Sequence, residues 1–175
     1  NGARDVGAAL VSHPKVDFVT FTGSTEVGRK VLLSASESLK GSHLELGGKS
    51  ANIIFADADL DQAAEAALFS SFWNSGQICT SGTRLVLARE ITEEFIARLQ
   101  ARLGALSLVG DPALADTQIG PMVSAGQRDR VRGYVDMAAA NGARLVFGGD
   151  SPVIAGCEEG YFMNPTLFRD ATPDM

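Results

Sequence analysis

Cysteine and histidine are both scarce, with two of each among 175 residues. Two cysteines in a chain this long exclude a disulfide framework, and histidines at 13 and 43, far from Cys79 and Cys157, exclude a zinc site. No metal is expected, and cysteine here serves either packing or catalysis. Basic charge is short as well: 15 Lys and Arg stand against 21 Asp and Glu, a net charge of −6. That balance argues against nucleic acid or an anionic membrane surface as the main partner, since both need a basic face. No stretch approaches the roughly 18 apolar residues of a membrane span, and no charged leader precedes a short apolar segment. A cytoplasmic location is the expectation. Internal repeats and low-complexity tracts are also missing.

What is present is ordinary globular composition, 45% hydrophobic and 21% charged. The length suffices for a buried core, as one domain or pieces of two. Asn1-Gly2 opens in mid-turn and Asp174-Met175 closes without a cap, so the expectation is a fragment.

Hydrophobic spacing and punctuation place the elements. Ala8 to Val11 read as a short helix stopped before His13-Pro14. Val16 to Thr22 carries apolar residues on both faces, as a strand covered on both sides would. Gly23-Ser24-Thr25-Glu26 then turns into a helix with Ser24 as N-cap and Val27, Val31 and Ala35 four apart. A strand, tight turn and helix N-terminus can bind an anion, although most such turns bind nothing and the full glycine-rich dinucleotide fingerprint is missing. His43 to Leu46 is a second strand, broken by Gly47-Gly48, the best candidate boundary between lobes. Ser50 to Phe55 reads as a third.

Asp59 with Gln62 makes a capping-box variant ahead of a helix whose stripe runs Leu60, Ala63, Ala64, Ala67, Leu68, Phe72, and Asn74-Ser75-Gly76 ends it. Arg84 to Ala88 is a strand. Thr92 is expected to cap a helix to about Leu103, with Ile91 and Ile96 as a hydrophobic staple. Ser124 with Gln127 opens a further helix with Val131, Tyr134, Val135 and Ala138 inward, stopped by Asn141-Gly142. Leu145 to Phe147 and a segment within Phe162 to Phe168 complete the strands. Alternating strands and helices give an α/β class with largely parallel pairing.

Two side chains stand out. Cys79 lies in a polar loop beside a helix end, where a thiol is reachable and can ionise, although a cysteine can equally be a small core hydrophobe. Cys157 has Glu158 and Glu159 beside it, which would raise its pKa, and is ranked as structural. Glu45 lies between Leu44 and Leu46. Desolvated there, its carboxylate would have a raised pKa suited to a general base; the other reading is an edge-strand glutamate facing solvent.

Phe21-Thr22-Gly23-Ser24-Thr25-Glu26-Val27-Gly28, Leu44-Glu45-Leu46-Gly47-Gly48-Lys49-Ser50 and Gly76-Gln77-Ile78-Cys79 resemble, in order and spacing, the central motifs of the NAD(P)-dependent aldehyde dehydrogenase superfamily. The resemblance continues through Gly120-Pro121 and Asn164-Pro165-Thr166. It implies an aldehyde dehydrogenase-like α/β fold in which residues 1–46 end a Rossmann-type coenzyme-binding domain and 47–175 form part of the catalytic domain. Cys79 then matches the nucleophile that forms a thiohemiacetal and, after hydride transfer, a thioester, with its backbone N–H in the oxyanion hole. Glu45 matches the base that activates the hydrolytic water. Gly23 and Ser24 fall at the coenzyme pyrophosphate, Val27 at the adenine, and Leu46 and Gly47 near the nicotinamide. Gln127 matches a position near the coenzyme ribose, though its capping role explains it equally well, and Arg84 matches a structural arginine.

The implied coenzyme is NAD or NADP, the substrate a small-molecule aldehyde, and the full-length parent a homo-oligomer. Phe72-Trp73-Asn74 and Thr80 to Thr83 lean toward betaine-aldehyde and amino-aldehyde enzymes. Other functions compatible with the sequence are a CoA-acylating semialdehyde dehydrogenase, which Glu45 counts against, and a noncatalytic module keeping the fold. The Gly47-Gly48 break is expected to bring Glu45 to face Cys79, 79 − 45 = 34 residues further on.

Overall fold

The structure, a computed structural model, describes residues 4–105 and 109–175. The Asn1-Gly2 turn lies outside the described residues. The chain divides into two compact units, Asn1–Gly48 and Lys49–Met175.

The first unit runs α1 (Arg4–Ser12), β1 (Phe18–Gly23), α2 (Thr25–Ser36) and β2 (Gly41–Leu46). β1 and β2 pair in parallel from Phe18 opposite Gly41 to Gly23 opposite Leu46, with α2 as the crossover that parallel pairing requires. Ser24 caps α2 through its hydroxyl, which accepts from the Val27 N–H at 3.3 Å. Val31, Ala35 and Gly28 are its buried residues, and a Cβ on Gly28 would stand 2.5 Å from Leu46 Cδ2, so α2 lies close against the end of β2 there. At the end of α1, Lys40 Nζ donates to the carbonyls of Val11 (2.6 Å) and His13 (2.9 Å), a cation at the negative end of the helix dipole.

Two details differ from the sequence reading. The strand begins at Phe18 rather than Val16, and it is covered on one side only: Val19 is buried while Phe18 is 62% exposed. Apolar residues on both faces show what a strand can bury, not what is there to cover it. Val27, in line with Val31 and Ala35, is exposed because it lies in the first turn of α2.

The second unit contains β3 (Ala51–Ile54), α3 (Leu60–Phe72), a 3-10 turn (Trp73–Gly76), β4 (Arg84–Leu87), a 3-10 turn (Arg89–Ile91), α4 (Thr92–Ala105), α5 (Ala125–Ala140), β5 (Arg144–Phe147) and β6 (Leu167–Arg169). β3 and β4 are parallel, Ala51 opposite Arg84 to Ile54 opposite Leu87, whereas β5 and β6 are antiparallel. The core joins Ile54, Ala64, Ala67, Leu68, Ile91, Phe95 and Leu99. Small alanines on α3 let α4 approach closely, and the large side chains of α4 fill the seam.

Here too local chemistry outran the sequence reading in places. Thr92 is the first residue of α4, and its hydroxyl donates to the Ala88 carbonyl at 3.2 Å instead of capping the helix. Phe95 and Leu99 join Ile91 in the core, and Ile96 is only partly buried. α5 buries no residue fully, and Tyr134 is exposed. The antiparallel β5 and β6 pair is the exception to the expected parallel pairing.

Asp59 caps α3 as its spacing predicts, accepting from the N–H groups of Asp61 (3.0 Å) and Gln62 (3.1 Å), while Gln62 Nε2 donates to Asp59 Oδ2 at 2.9 Å. One residue into α3, Asp61 bridges to α4 through Arg98 (2.7 Å) and Arg102 (2.8 Å). The Arg98 hydrogen bond, then the charges of both arginines, hold the Asp61 carboxyl below its usual range. A depressed folded-state pKa gives stability that is present above the unfolded value of about 3.9 and is lost as pH falls through the folded one. Asp61→Asn should therefore unfold at lower denaturant than the parent at pH 7, and the gap should close below roughly pH 3. Denaturant titrations at the two pH values measure it, and a gap that persists in acid would contradict the ion-pair origin.

Candidate active site

Cys79 is exposed and occupies the tip of a turn, with the Ser81 N–H donating to the Ile78 carbonyl at 3.3 Å. The Cys79 N–H has no hydrogen-bond partner among the described residues. The reading of Cys79 as a core hydrophobe is thereby excluded. A reachable thiol beside a free amide donor is an arrangement that can attack a carbonyl and stabilise the oxyanion that results.

The chain reaches this turn through an unusual approach. After α3, Asn74 (φ 50°, ψ 36°), Ser75 (φ 57°, ψ 31°) and Gly76 (φ 71°) are three successive left-handed residues. Glycine adopts that conformation freely and asparagine tolerates it, whereas serine does so at a cost. Hydrogen bonds hold the turn. Ser75 Oγ donates to the Gly120 carbonyl at 2.8 Å, and Asn74 and Gln77 bond each other through backbone and side chains. Gln77 Oε1 also accepts from the Val123 N–H at 3.0 Å. On the far side of Cys79, Ser71 Oγ donates to the Gly82 carbonyl at 3.3 Å. A Cβ on Gly82 would come within 3.1 Å of Ser70 Oγ and 3.2 Å of Asn52 Cβ, so the loop lies directly against α3 and β3. Ser81 is 4% exposed and its hydroxyl has no partner among the described residues. Arg84 donates from Nε to the Lys49 carbonyl at 3.0 Å, a structural tie.

Beside the loop, Phe69 and Trp73 stack at 5.0 Å between ring centroids, and both are exposed. They line an open groove of about 940 Å³ together with Phe72, Leu68, Ile119, Glu65 and Arg102.

Cys157 is partly buried, and its thiol is pushed up by that burial, by Asp111, which also hydrogen-bonds it, and by Glu158. The direction agrees with the sequence reading, but Asp111, 46 residues away (157 − 111), carries more of it than the neighbouring glutamates. Of the two cysteines, Cys79 is the more exposed.

In the first unit, Glu45 is not desolvated. Its side chain is 64% exposed, with Oε1 3.4 Å from His43 Nε2. Side chains alternate along a strand, so Leu44 and Leu46 point to one face and His43 and Glu45 to the other. The flanking leucines therefore cannot bury the carboxylate. As an exposed acceptor it is free to hydrogen-bond water.

The Ser24 turn suits an anionic group. The Ser24 hydroxyl takes the Val27 N–H, and the Thr25 and Glu26 amides of the first turn have no intrahelical acceptor. Glu26 would oppose an anion, but Lys30 pairs with it at 2.5 Å. Gly23 ends β1 at this turn, and Val27 offers an exposed apolar surface next to it. Leu46 ends β2 and Gly47 follows, with open space where a Gly47 side chain would be. Gln127 sits in the first turn of α5 and gives its N–H to Ser124 Oγ at 3.2 Å, so the capping role is present. Among the described residues, no group of acidic, His and Cys side chains could hold a metal ion.

Sequence reasoning did not single out Ser75 and Gln77 for positioning. Gln77 stood in the motif around Cys79, yet its partner Val123 lies 46 residues away, and no local spacing announces that bond.

A family model described as the aldehyde dehydrogenase family matches residues 1–175, and the chain belongs to that family. It is 48% identical over 175 residues to a betaine aldehyde dehydrogenase of Rhizobium etli, covering 99% of this chain and 35% of that protein. A betaine aldehyde dehydrogenase of Brucella ovis is 44% identical over 174 residues, covering 99% of this chain and 36% of its own. The chain thus spans about a third of the length of the curated relatives it matches. Among solved structures, the betaine aldehyde dehydrogenase of Staphylococcus aureus in complex with NAD+ superposes with a TM-score of 0.91 at 35% identity, over 99% of this chain and 34% of that one. An NAD-dependent aldehyde dehydrogenase of Sinorhizobium meliloti gives 0.91 at 39% identity, over 98% and 33%. The aldehyde dehydrogenase-like α/β fold follows from these likenesses.

Proposed function

We propose that the full-length protein oxidises an aldehyde to a carboxylic acid with NAD+ by covalent catalysis at Cys79. The observation that carries this reading is the exposed thiol at the tip of a turn held by polar ties on both sides. Cys79 Sγ adds to the aldehyde carbon, and the Cys79 N–H donates to the oxygen that becomes negative. Loss of hydride from that carbon turns the thiohemiacetal into a thioester. Glu45 takes a proton from water, the hydroxide adds to the thioester, and the thiolate leaves with the acid released.

The coenzyme, whose role is to accept the hydride, is assigned to the first unit. Gly23 and Ser24 would hold its pyrophosphate and Val27 its adenine, with Leu46 and Gly47 near the nicotinamide and Gln127 near the ribose. Residues 1–46 would belong to the coenzyme domain and 47–175 to the catalytic domain. The NAD+ bound by the Staphylococcus aureus relative supports NAD over NADP. The names of the relatives and the exposed Phe69 and Trp73 stack support an aldehyde bearing a quaternary ammonium, since aromatic faces attract cations. The parent would be a soluble, cytoplasmic homo-oligomer.

Rapid mixing of wild type and Glu45→Gln with NAD+ and either betaine aldehyde or its neutral isostere 3,3-dimethylbutanal tests this reading. Glu45→Gln should show a full burst of NADH and a steady-state rate at least ~100-fold lower, with an acyl group on Cys79 by mass spectrometry. Betaine aldehyde should give the faster burst. Normal steady-state turnover in the variant would remove Glu45 from this role. Acceleration by added coenzyme A would instead favour thiol transfer over hydrolysis.

A further inference from the structure

Cys79 contributes little to fixing its own position. It is exposed, its N–H is unbonded among the described residues, and the turn Ile78–Ser81 is closed by one 3.3 Å hydrogen bond. The direction in which the thiol points is set by what enters that turn, the left-handed Asn74–Gly76 segment. Serine in that conformation is strained, and such backbone persists only where neighbours over-determine it.

Gln77 supplies most of that determination. Its backbone N–H donates to the Asn74 carbonyl at 3.1 Å, and its side-chain Nε2 donates to the same oxygen at 3.2 Å. Its carbonyl accepts from Asn74 Nδ2 at 3.3 Å. Its side-chain Oε1 reaches out of the segment to the Val123 N–H at 3.0 Å. One carboxamide thus donates into the strained turn and accepts from a loop that the chain reaches 46 residues later. A carboxamide, with a donor and an acceptor on one carbon, does both at once. Ser75 adds a parallel tie to Gly120 in the same loop.

We infer that Gln77 is a positioning residue for Cys79: its carboxamide locks the left-handed turn to the Val123 loop and so fixes the direction in which the thiol is presented. The inference rests on Cys79 being the nucleophile. It concerns how the reactive atom is aimed, which makes the rate of the chemical step the quantity affected. Misplacement of a reacting group by about 1 Å costs on the order of 100-fold in rate, whereas the carboxamide is not among the groups that line the Phe69 and Trp73 groove.

Steady-state kinetics of full-length Gln77→Met and Gln77→Glu test it. Met fills the same volume with neither donor nor acceptor; Glu keeps the acceptor for Val123 and loses the donor. Gln77→Met should lower kcat about 100-fold with the aldehyde KM within threefold of wild type. Gln77→Glu should lose about tenfold, a partial rescue that a merely space-filling role would not give. A kcat within threefold of wild type in Gln77→Met, or a loss confined to KM, overturns the inference. If Gln77→Met does not fold, an unchanged kcat in Gln77→Glu overturns it instead. Cys79→Ala assayed alongside separates the two readings: turnover there removes the nucleophile itself, while an inactive Cys79→Ala beside an active Gln77→Met removes only the positioning role.

Discussion

Cys79→Ala should lower aldehyde oxidation by at least ~10⁴-fold and leave thermal unfolding of the full-length protein unchanged within about 0.5 kcal/mol. Both halves of that expectation have a structural cause. In the proposed mechanism the thiol is the atom to which the substrate carbon becomes bonded, so without it neither the thiohemiacetal nor the thioester would form, and no general base could replace the missing bond. The side chain is exposed and belongs to no core cluster, so its removal opens no cavity. Iodoacetamide provides the second measurement. It should modify Cys79 ahead of Cys157, whose thiol is held in its neutral form by partial burial and by Asp111 and Glu158. Inactivation should track the modification of Cys79 one for one. Turnover of Cys79→Ala within tenfold of wild type would remove the covalent mechanism and leave the fold without an assigned chemistry.

The parts of the molecule legible in the sequence are those decided within a few residues. Ser24, Asp59 and Ser124 each accept an N–H from the first turn of the helix they precede, because capping is a matter of one side chain and the next three amides. Gly142 follows α5 with φ 89°, as a helix stop requires. What could not be read depends on partners far along the chain or on what covers a surface. Phe18 and Tyr134 have the right period for burial, but period shows only which residues share a face. Glu45 is instructive because two readings stood open, a carboxylate desolvated between leucines and one facing solvent; alternation in a strand places adjacent side chains on opposite faces, and the exposed side chain matches the second. Thr92 had the composition of an N-cap and instead became the first helical residue, since the 3-10 turn Arg89–Ile91 runs straight into α4. At the candidate site, the exposure of Cys79 was legible from its polar surroundings. The scaffold that aims it was not, because Ser75 to Gly120 and Gln77 to Val123 each join positions some forty-five residues apart.

That scaffold is only as firm as the helix that delivers it, and the second large effect is expected there. Phe95→Ala should destabilise the protein by about 4 kcal/mol, since a fully buried phenyl ring is removed where surrounding helices can collapse only in part. Phe95 is 0% exposed and packs in the cluster that joins α4 to α3 through Ala64, Ala67 and Leu68. The alanines have little volume with which to close the gap. A fall of about 10 °C in the apparent midpoint of thermal unfolding is the expected reading. Phe69→Ala makes the matched comparison: the same residue type on α3, 59% exposed, its ring stacked on Trp73. That change should cost no more than about 1 kcal/mol, the worth of an aromatic pair. Equal losses in the two variants would mean that the α3 and α4 seam is not where the stability of this unit resides. The turn before Cys79 would then draw its rigidity from the Gly120–Val123 loop alone.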